Sequence, residues 1–218
     1  MTRYTEMPFN RLPRATALRL VDQLTAPEQR FARCFHRYWR EVMEMSDADA
    51  ARATRDELGA AAAMLRAGLA AADPHFMTLG VTHDLGYEPV GIYAVRALRC
   101  HPVGARLDAV LGAGTERRGL VHAVAIRDDH AGLTALRTAF VGVARRAVEL
   151  ELDVLYFYSS DHRLAGVYRH FGMDFPDGLA LPGSGHLVGR YQMYRPDNRA
   201  RVAATAEALG LVDLPVAA

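Results

Sequence analysis

"GLVHAVAIRDDHAGLTALRTAF", residues 119 to 140, passes from an apolar run through a charged turn into an amphipathic helix, with one glycine, Gly132, at the junction. "GLVHAVAIR" reads as a strand. Leu133, Leu136, Phe140, Val143, Ala147 and Leu150 then recur at intervals of three or four, the spacing of one helix face. "VLYFYSS" follows at 154 to 160, a short run of apolar and aromatic residues expected of a strand buried on both faces of a partly parallel sheet. A strand, a helix and a buried strand in series predict an α/β architecture.

Upstream, "ATALRLV" (15 to 21) reads as a short strand, and "TAPE" (25 to 28) has the form of a capping box that starts a helix. Phe31, Phe35, Tyr38, Val42 and Met45 give that helix one apolar face to about residue 45. Ser46 restarts the pattern, with Leu58, Leu65 and Leu69 on one side and Pro74 as the stop. "FMTLGVT" and "VGIYAVRALRC", separated by the turn-rich "HDLGYEP", read as a hairpin. Downstream, "HRLAGVYRHFG" is a helix closed by Gly172, "DFPDGLALPGSGH" and "LVGRYQMYR" suggest two last strands around a Gly/Pro loop, and a final helix near 198 to 209 ends at Gly210. One domain spanning 1 to 218 accounts for the whole pattern, with no internal repeat or linker.

Composition narrows the chemistry. Basic and acidic residues number 26 and 25, so net charge gives no argument for nucleic acid or an anionic membrane. The chain has no lysine, which excludes a Schiff-base lysine, a P-loop lysine and a Ser-Lys dyad. Cys34 and Cys100 form no CxxC pair, and no histidines stand at HxH or HxxxH spacing, so neither a disulfide framework nor a metal site is expected. "MTRYTEMPFNRLPRA" lacks an apolar signal-like segment, and no apolar run approaches a membrane span; the expectation is a soluble cytoplasmic protein.

The element order and two local stretches resemble the GNAT acyltransferase superfamily. "DHRLAGVYRHFGM" (161 to 173) is similar to the family's helix-four signature: Tyr168 and Gly172 match its tyrosine and glycine, while Asp161 and Met173 stand where asparagine and phenylalanine are usual. The turn at 127 to 136 sits where the family places a diphosphate cradle, whose backbone N–H groups and helix dipole hold the anion. Against its pattern of Gln or Arg, two residues, Gly, one residue, Gly or Ala, this chain has Ala131, Thr134 and Leu136, and keeps only Gly132. Asp128 and Asp129 stand just before it, where they would repel a diphosphate. Relatives with a similarly reduced cradle include acyl-homoserine lactone synthases and N-acyl amino acid synthases, which take acyl groups from acyl carrier protein. A phosphopantetheine arm carries a single phosphate, so two donors stay open: acyl-CoA or an acyl thioester on an acyl carrier protein.

The resemblance implies a GNAT-like mixed, mostly antiparallel sheet of six to seven strands flanked by helices, with an extra C-terminal helix. It also implies an N-acyltransferase in which the amine of a small metabolite attacks the thioester directly. Such a reaction needs a deprotonated amine, a donor for the developing oxyanion and an acid for the leaving thiolate. The oxyanion donor maps to the strand near Val124 to Ile126. Tyr168 takes the role of acid or hydrogen-bond donor to the thiolate, against the alternative of a tyrosine packed on a helix face. His122, on the same strand as the oxyanion donor, is the candidate base; a core histidine bonded to a carbonyl is its alternative. Donor-binding candidates are Val124, Ile126, His130, Ala131, Gly132, Leu133, Thr134 and Asp161. Glu116 and His130 are lesser base candidates. "LPGSGH" (181 to 186) offers backbone donors to an acceptor carboxylate or is only a turn, and it lacks the spacing of a nucleophile elbow. "RCFHRYWRE" (33 to 41) lines a pocket or places its aromatics in the core. No metal, nucleic acid or membrane is expected as a partner. Val202, Ala206 and Leu209 on the last helix leave a homodimer open. The competing reading is a non-catalytic GNAT-like module that binds a carrier protein or small ligand.

Overall fold

In this computed structural model the described residues are 4–8, 13–26, 39–41, 44–71, 76–83, 89–100, 104–127, 130, 133–159, 162–176, 179–181 and 186–211. They form strands β1 (Tyr4–Pro8), β2 (Phe76–His83), β3 (Pro89–Ala97), β4 (Arg118–Ile126), β5 (Val154–Ser159) and β6 (Leu187–Gln192). The helices are α1 (Arg14–Thr25), α2 (Asp47–Ala71), α3 (Gly104–Leu111), α4 (Leu133–Glu149), α5 (His162–His170) and α6 (Pro196–Ala208). The strands lie in the order β1-β2-β3-β4-β5-β6. The sheet is mixed: β1 with β2 and β5 with β6 are antiparallel, whereas β4 with β5 is parallel. Contacts group the chain into two compact units, one of Met1–Ala94 and Ala123–Ala139, the other of Val95–His122 and Phe140–Ala218.

In the first unit, residues 15 to 21 correct the sequence expectation: they belong to helix α1 and not to a strand. Ala17, Leu20, Val21 and Leu24 are all buried, and the helical period shows only when the window reaches Leu24. Pro13 starts the helix by accepting the N–H groups of Thr16 and Ala17 at 2.8 and 3.0 Å. Ala26 ends it in an extended conformation, as the residue before a proline is pushed out of the helical region. Thr25 is therefore a helix end; Pro27 and Glu28 of the expected capping box, and Phe31, Phe35, Tyr38 and Val42, lie outside the described residues. Ser46 does begin α2, accepting the Asp49 N–H at 3.2 Å and donating to its carboxylate at 2.7 Å. Leu58, Ala62 and Leu65 of α2 pack with the buried face of α1 and with Ile92 of β3.

In the second unit, β5 pairs with β6 over six residue pairs from Val154–Gln192 to Ser159–Leu187. Its described register with β4 spans only Arg118–Val154 to Leu120–Tyr156. Leu98, Leu107, Leu120, Val154, Tyr156, Leu181 and Val188 form the core. Helix α3, which the sequence pattern did not announce, contributes Leu107 to it. The expected strand within 174 to 186 is also corrected: among described residues it is reduced to isolated bridges, Asp174 with Arg190 and Ala180 with Leu187. Pro176 supplies no N–H to a ladder there. Helix α6 starts at Pro196; its Val202 and Ala206 are buried, and Leu209, just past its end, is half-buried.

Candidate functional site

Helix α5 follows β5 directly, and its tyrosine is fixed from two sides. The half-buried Tyr168 ring lies over Phe157 of β5, centroids 5.9 Å apart and tilted by 32°. Its main-chain carbonyl accepts the N–H groups of Phe171 at 2.9 Å and Met173 at 3.2 Å, closing the helix. Gly172 makes that closure possible with φ of 91°, the left-handed region that a C-terminal cap uses. Phe171 stacks on Phe140 of α4 at 4.8 Å, and Phe140 meets Tyr191 of β6 edge-on at 5.4 Å. Arg201 of α6 donates to the carbonyl of His170 at 2.8 Å. The helix-four signature thus ends in an anchored turn. Asp161, at its head, lies outside the described residues.

The other sequence candidates fall along β4 and the start of α4. His122 and Val124 lie on β4, of which only the backbone is described there, and Ile126 is its half-buried last residue. Leu133 begins α4, and Thr134 is half-buried in its first turn, its carbonyl accepting the Thr138 hydroxyl at 3.0 Å. Ala131, Gly132, Asp128 and Asp129 lie outside the described residues. His130 donates its main-chain N–H to the Arg127 carbonyl at 2.9 Å, and the Arg127 N–H is held by the Val90 carbonyl at 2.8 Å. Its ring Nδ1 is hydrogen-bonded to the Tyr4 hydroxyl at 3.1 Å, with the two rings edge to face. Glu116 is exposed, 3.9 Å from Arg118, whose guanidinium also meets Asp108 at 3.1 Å and the Gly112 carbonyl at 2.9 Å. It is one of the acidic groups around a largely buried arginine.

Two further residues carried little sequence signal. Tyr4 reaches His130 from the first strand, a pairing that no local pattern encodes. His186 closes the Gly/Pro loop: its carbonyl accepts the Leu181 N–H at 2.8 Å, and its ring stacks on Tyr158 of β5 at 5.7 Å and 25°. Burial pushes its pKa below the ordinary histidine value, which favours the neutral imidazole. Burial likewise raises the Tyr156 phenol on the same strand. Among the described residues no group of three or more His, Cys, Asp or Glu side chains could hold a metal ion, and no helix is long and apolar enough to cross a membrane.

No family model matches the chain, and no curated protein matches it. Solved structures do. The chain is similar to the PaiA N-acetyltransferase of Thermoplasma acidophilum, solved with coenzyme A, at 9% identity over 87% of this chain and 98% of that one, with a TM-score of 0.58. A GNAT-family acetyltransferase of Listeria monocytogenes 4b F2365 gives 10% identity over 87% and 94%, with a TM-score of 0.56. FeeM, an N-acyl amino acid synthase from uncultured soil microbes, gives 16% identity over 95% and 99%, with a TM-score of 0.50. At these identities the likeness is one of fold, and the fold is that of the GNAT acyltransferases.

Proposed function

We propose that the chain is an N-acyltransferase that moves an acyl group from a thioester donor, acyl-CoA or acyl carrier protein, to the amine of a small metabolite by direct attack. The observation that carries this reading is Tyr168, laid over Phe157 at the end of β5 and held there by the turn at Gly172, on a fold shared with a coenzyme A-bound acetyltransferase. In the reaction the amine nitrogen attacks the thioester carbon, the C–S bond breaks, and the sulfur leaves as a thiolate. Tyr168 donates its hydroxyl hydrogen to that sulfur. Backbone N–H groups of β4 near Val124 to Ile126 receive the oxyanion, and His122 on the same strand is positioned by sequence to take the amine proton. His130, Thr134 and the residues between them hold the donor's phosphate end, and Asp161 binds the donor away from its phosphates. The chain works without a metal and, with two cysteines in no paired motif, in the cytoplasm. An acyl-enzyme intermediate is not required.

One observation favours a second reading, a non-catalytic module that binds a carrier protein or ligand. Thr134, standing in the family's glycine position, is half-buried within the first turn of α4, where glycine would let a diphosphate approach the backbone more closely.

The test is thermal shift and thiol release with acetyl-, malonyl- and long-chain acyl-CoA and with acyl carrier proteins bearing the same groups. Binding of at least one donor with thiol release on addition of amines is the expected result. Binding without release would favour the module, and no response to any donor would remove the acyltransferase reading. Tyr168→Phe is expected to lower kcat by about 100-fold with donor Kd little changed.

A further inference from the structure

Two aromatic contacts stand side by side on one cross-strand pair. Phe157 of β5 lies directly opposite Gly189 of β6, and opposite residues of an antiparallel pair face the same side of the sheet. The Tyr168 ring covers Phe157, with centroids 5.9 Å apart. Gly189 is covered by the ring of Phe175: a Cβ at position 189 would lie 2.6 Å from the Phe175 Cζ and 2.7 Å from its Cε1. The guanidinium of Arg169, the residue after Tyr168, stands over the Phe175 ring with its Cζ 5.3 Å from the centroid. Consecutive residues of α5 thus rest on neighbouring columns, Tyr168 on Phe157 and Arg169 on Phe175 with Gly189.

The second column is fixed to β6 next to the glycine. Asp174 and Arg190 exchange both main-chain hydrogen bonds, at 2.9 and 2.7 Å, and the Arg190 guanidinium donates twice to the Asp174 carboxylate, at 3.1 and 2.9 Å. Phe175 therefore follows a residue that cannot shift along the strand. The bonds from Phe171 and Met173 to the Tyr168 carbonyl close the helix, but they involve main chain alone and do not by themselves stop α5 from rolling about its axis. Successive helix residues are about 100° apart around that axis, so contacts at both Tyr168 and Arg169 resist roll in either direction. An arginine over an aromatic ring adds attraction to that contact even where it is exposed, as Arg169 is.

Resting on the acyltransferase reading above, we propose that Arg169, Phe175 and Gly189 are positioning residues for the reaction: their stack fixes the roll of α5 and with it the place where the Tyr168 hydroxyl meets the leaving sulfur. The amine nitrogen attacks the acyl carbon, the C–S bond breaks, and the hydroxyl hydrogen of Tyr168 passes to the sulfur. None of the three positioning residues exchanges a proton; they act through Tyr168. A reacting group misplaced by about 1 Å can cost about 100-fold in rate, so a small roll of the helix is enough to matter. Glycine at 189 is the residue this requires, because any side chain there would occupy the space of the Phe175 ring.

The experiment uses the full chain, with acetyl-CoA, a long-chain acyl-CoA and an acyl carrier protein bearing the long chain as donors, and the common amino acids and polyamines as acceptors. Thiol release is followed for Gly189→Ala, Phe175→Leu, Arg169→Ala and Arg169→Lys, each made in the wild type and again in Tyr168→Phe, with donor Kd measured by titration. In the wild-type background kcat is expected to fall about 10-fold for Gly189→Ala and Phe175→Leu and about 3-fold for Arg169→Ala, with donor Kd held within about 2-fold. Arg169→Lys, which keeps the cation, should recover most of the Arg169→Ala loss. In the Tyr168→Phe background the same substitutions should lower kcat by less than about 2-fold, because the hydroxyl they position is gone. Losses of equal size in both backgrounds would make the stack a support of the fold and overturn the inference, as would full turnover in every variant. Either of those results leaves the acyltransferase reading standing. Wild-type turnover in Tyr168→Phe itself would remove the tyrosine's role and this inference together, and no thiol release by the wild type with any donor and amine would remove the acyltransferase reading as well. If Gly189→Ala does not fold, the two variants of the exposed Arg169 still decide.

Discussion

Tyr191 donates its hydroxyl hydrogen to the main-chain carbonyl of Asn198 at 2.9 Å, joining β6 to the first turn of α6 in a fully buried contact. Asn198 returns the link, its side-chain amide donating to the Gln192 carbonyl at 2.9 Å. Tyr191→Phe keeps the ring against Phe140 and removes only the hydroxyl. It is expected to cost about 1–2 kcal/mol and to lower Tm by a few degrees. An unchanged Tm would mean that the Asn198 carbonyl is satisfied without it. Burial also holds the phenol pKa well above its ordinary value of 10.0. The folded state therefore keeps a proton that the unfolded chain releases, and wild-type stability should fall above about pH 10, a slope that Tyr191→Phe removes.

Gly172 ends α5 where φ is 91° and where an added Cβ would lie 2.7 Å from Asn198 Oδ1 and 3.0 Å from Arg201 Nε. Gly172→Ala combines backbone strain with a collision against α6. A loss of about 1–3 kcal/mol is expected by denaturant titration. The same turn carries the carbonyl contacts of Tyr168, so turnover should fall as well. Full stability in the variant would show that α6 can move aside.

These two residues also show how far the sequence could be read. The pattern from Leu133 to Leu150 and the tyrosine-to-glycine spacing of 168 to 172 are local, and both elements form where the spacing places them. Ser46 was legible for the same reason, since a cap depends only on its next few residues. Residues 15 to 21 mislead because a seven-residue apolar window satisfies a strand and a helix alike; Leu24 decides between them. The run from Asp174 to His186 has strand-like residues, but Pro176 has no N–H for a ladder, and among the described residues it makes two isolated bridges. Tyr4 with His130, 126 residues apart, and His186 with Tyr158 depend on tertiary packing, which no spacing rule encodes.

Glu57 of α2 is half-buried, and desolvation raises its pKa above the ordinary 4.5. A raised carboxyl pKa means that the folded chain binds more protons than the unfolded one in the window just above 4.5. Its contribution to stability is present below that window and is lost as pH rises through the folded pKa. Glu57→Gln, which cannot ionise, should be at least as stable as the wild type at pH 7 and should flatten this part of the pH profile. Denaturation midpoints for both proteins from pH 4.5 to 7 measure it; parallel profiles would mean that the carboxyl reaches water in the folded state.

The Tyr4 hydroxyl holds His130 at the approach to α4, next to the turn assigned to the donor's phosphate end. Tyr4→Phe preserves the edge-to-face ring contact and removes the hydrogen bond to Nδ1 alone. Loss of one hydrogen bond of about 0.5–1.5 kcal/mol would weaken donor binding by about 2- to 10-fold if the orientation of His130 matters to the grip. Titration calorimetry with the tightest-binding donor measures this, and His130→Ala is expected to weaken binding at least as much. If Tyr4→Phe lowers Tm while both variants bind the donor like the wild type, the pair only fastens β1 to the turn, and the donor is held by backbone N–H groups at the start of α4.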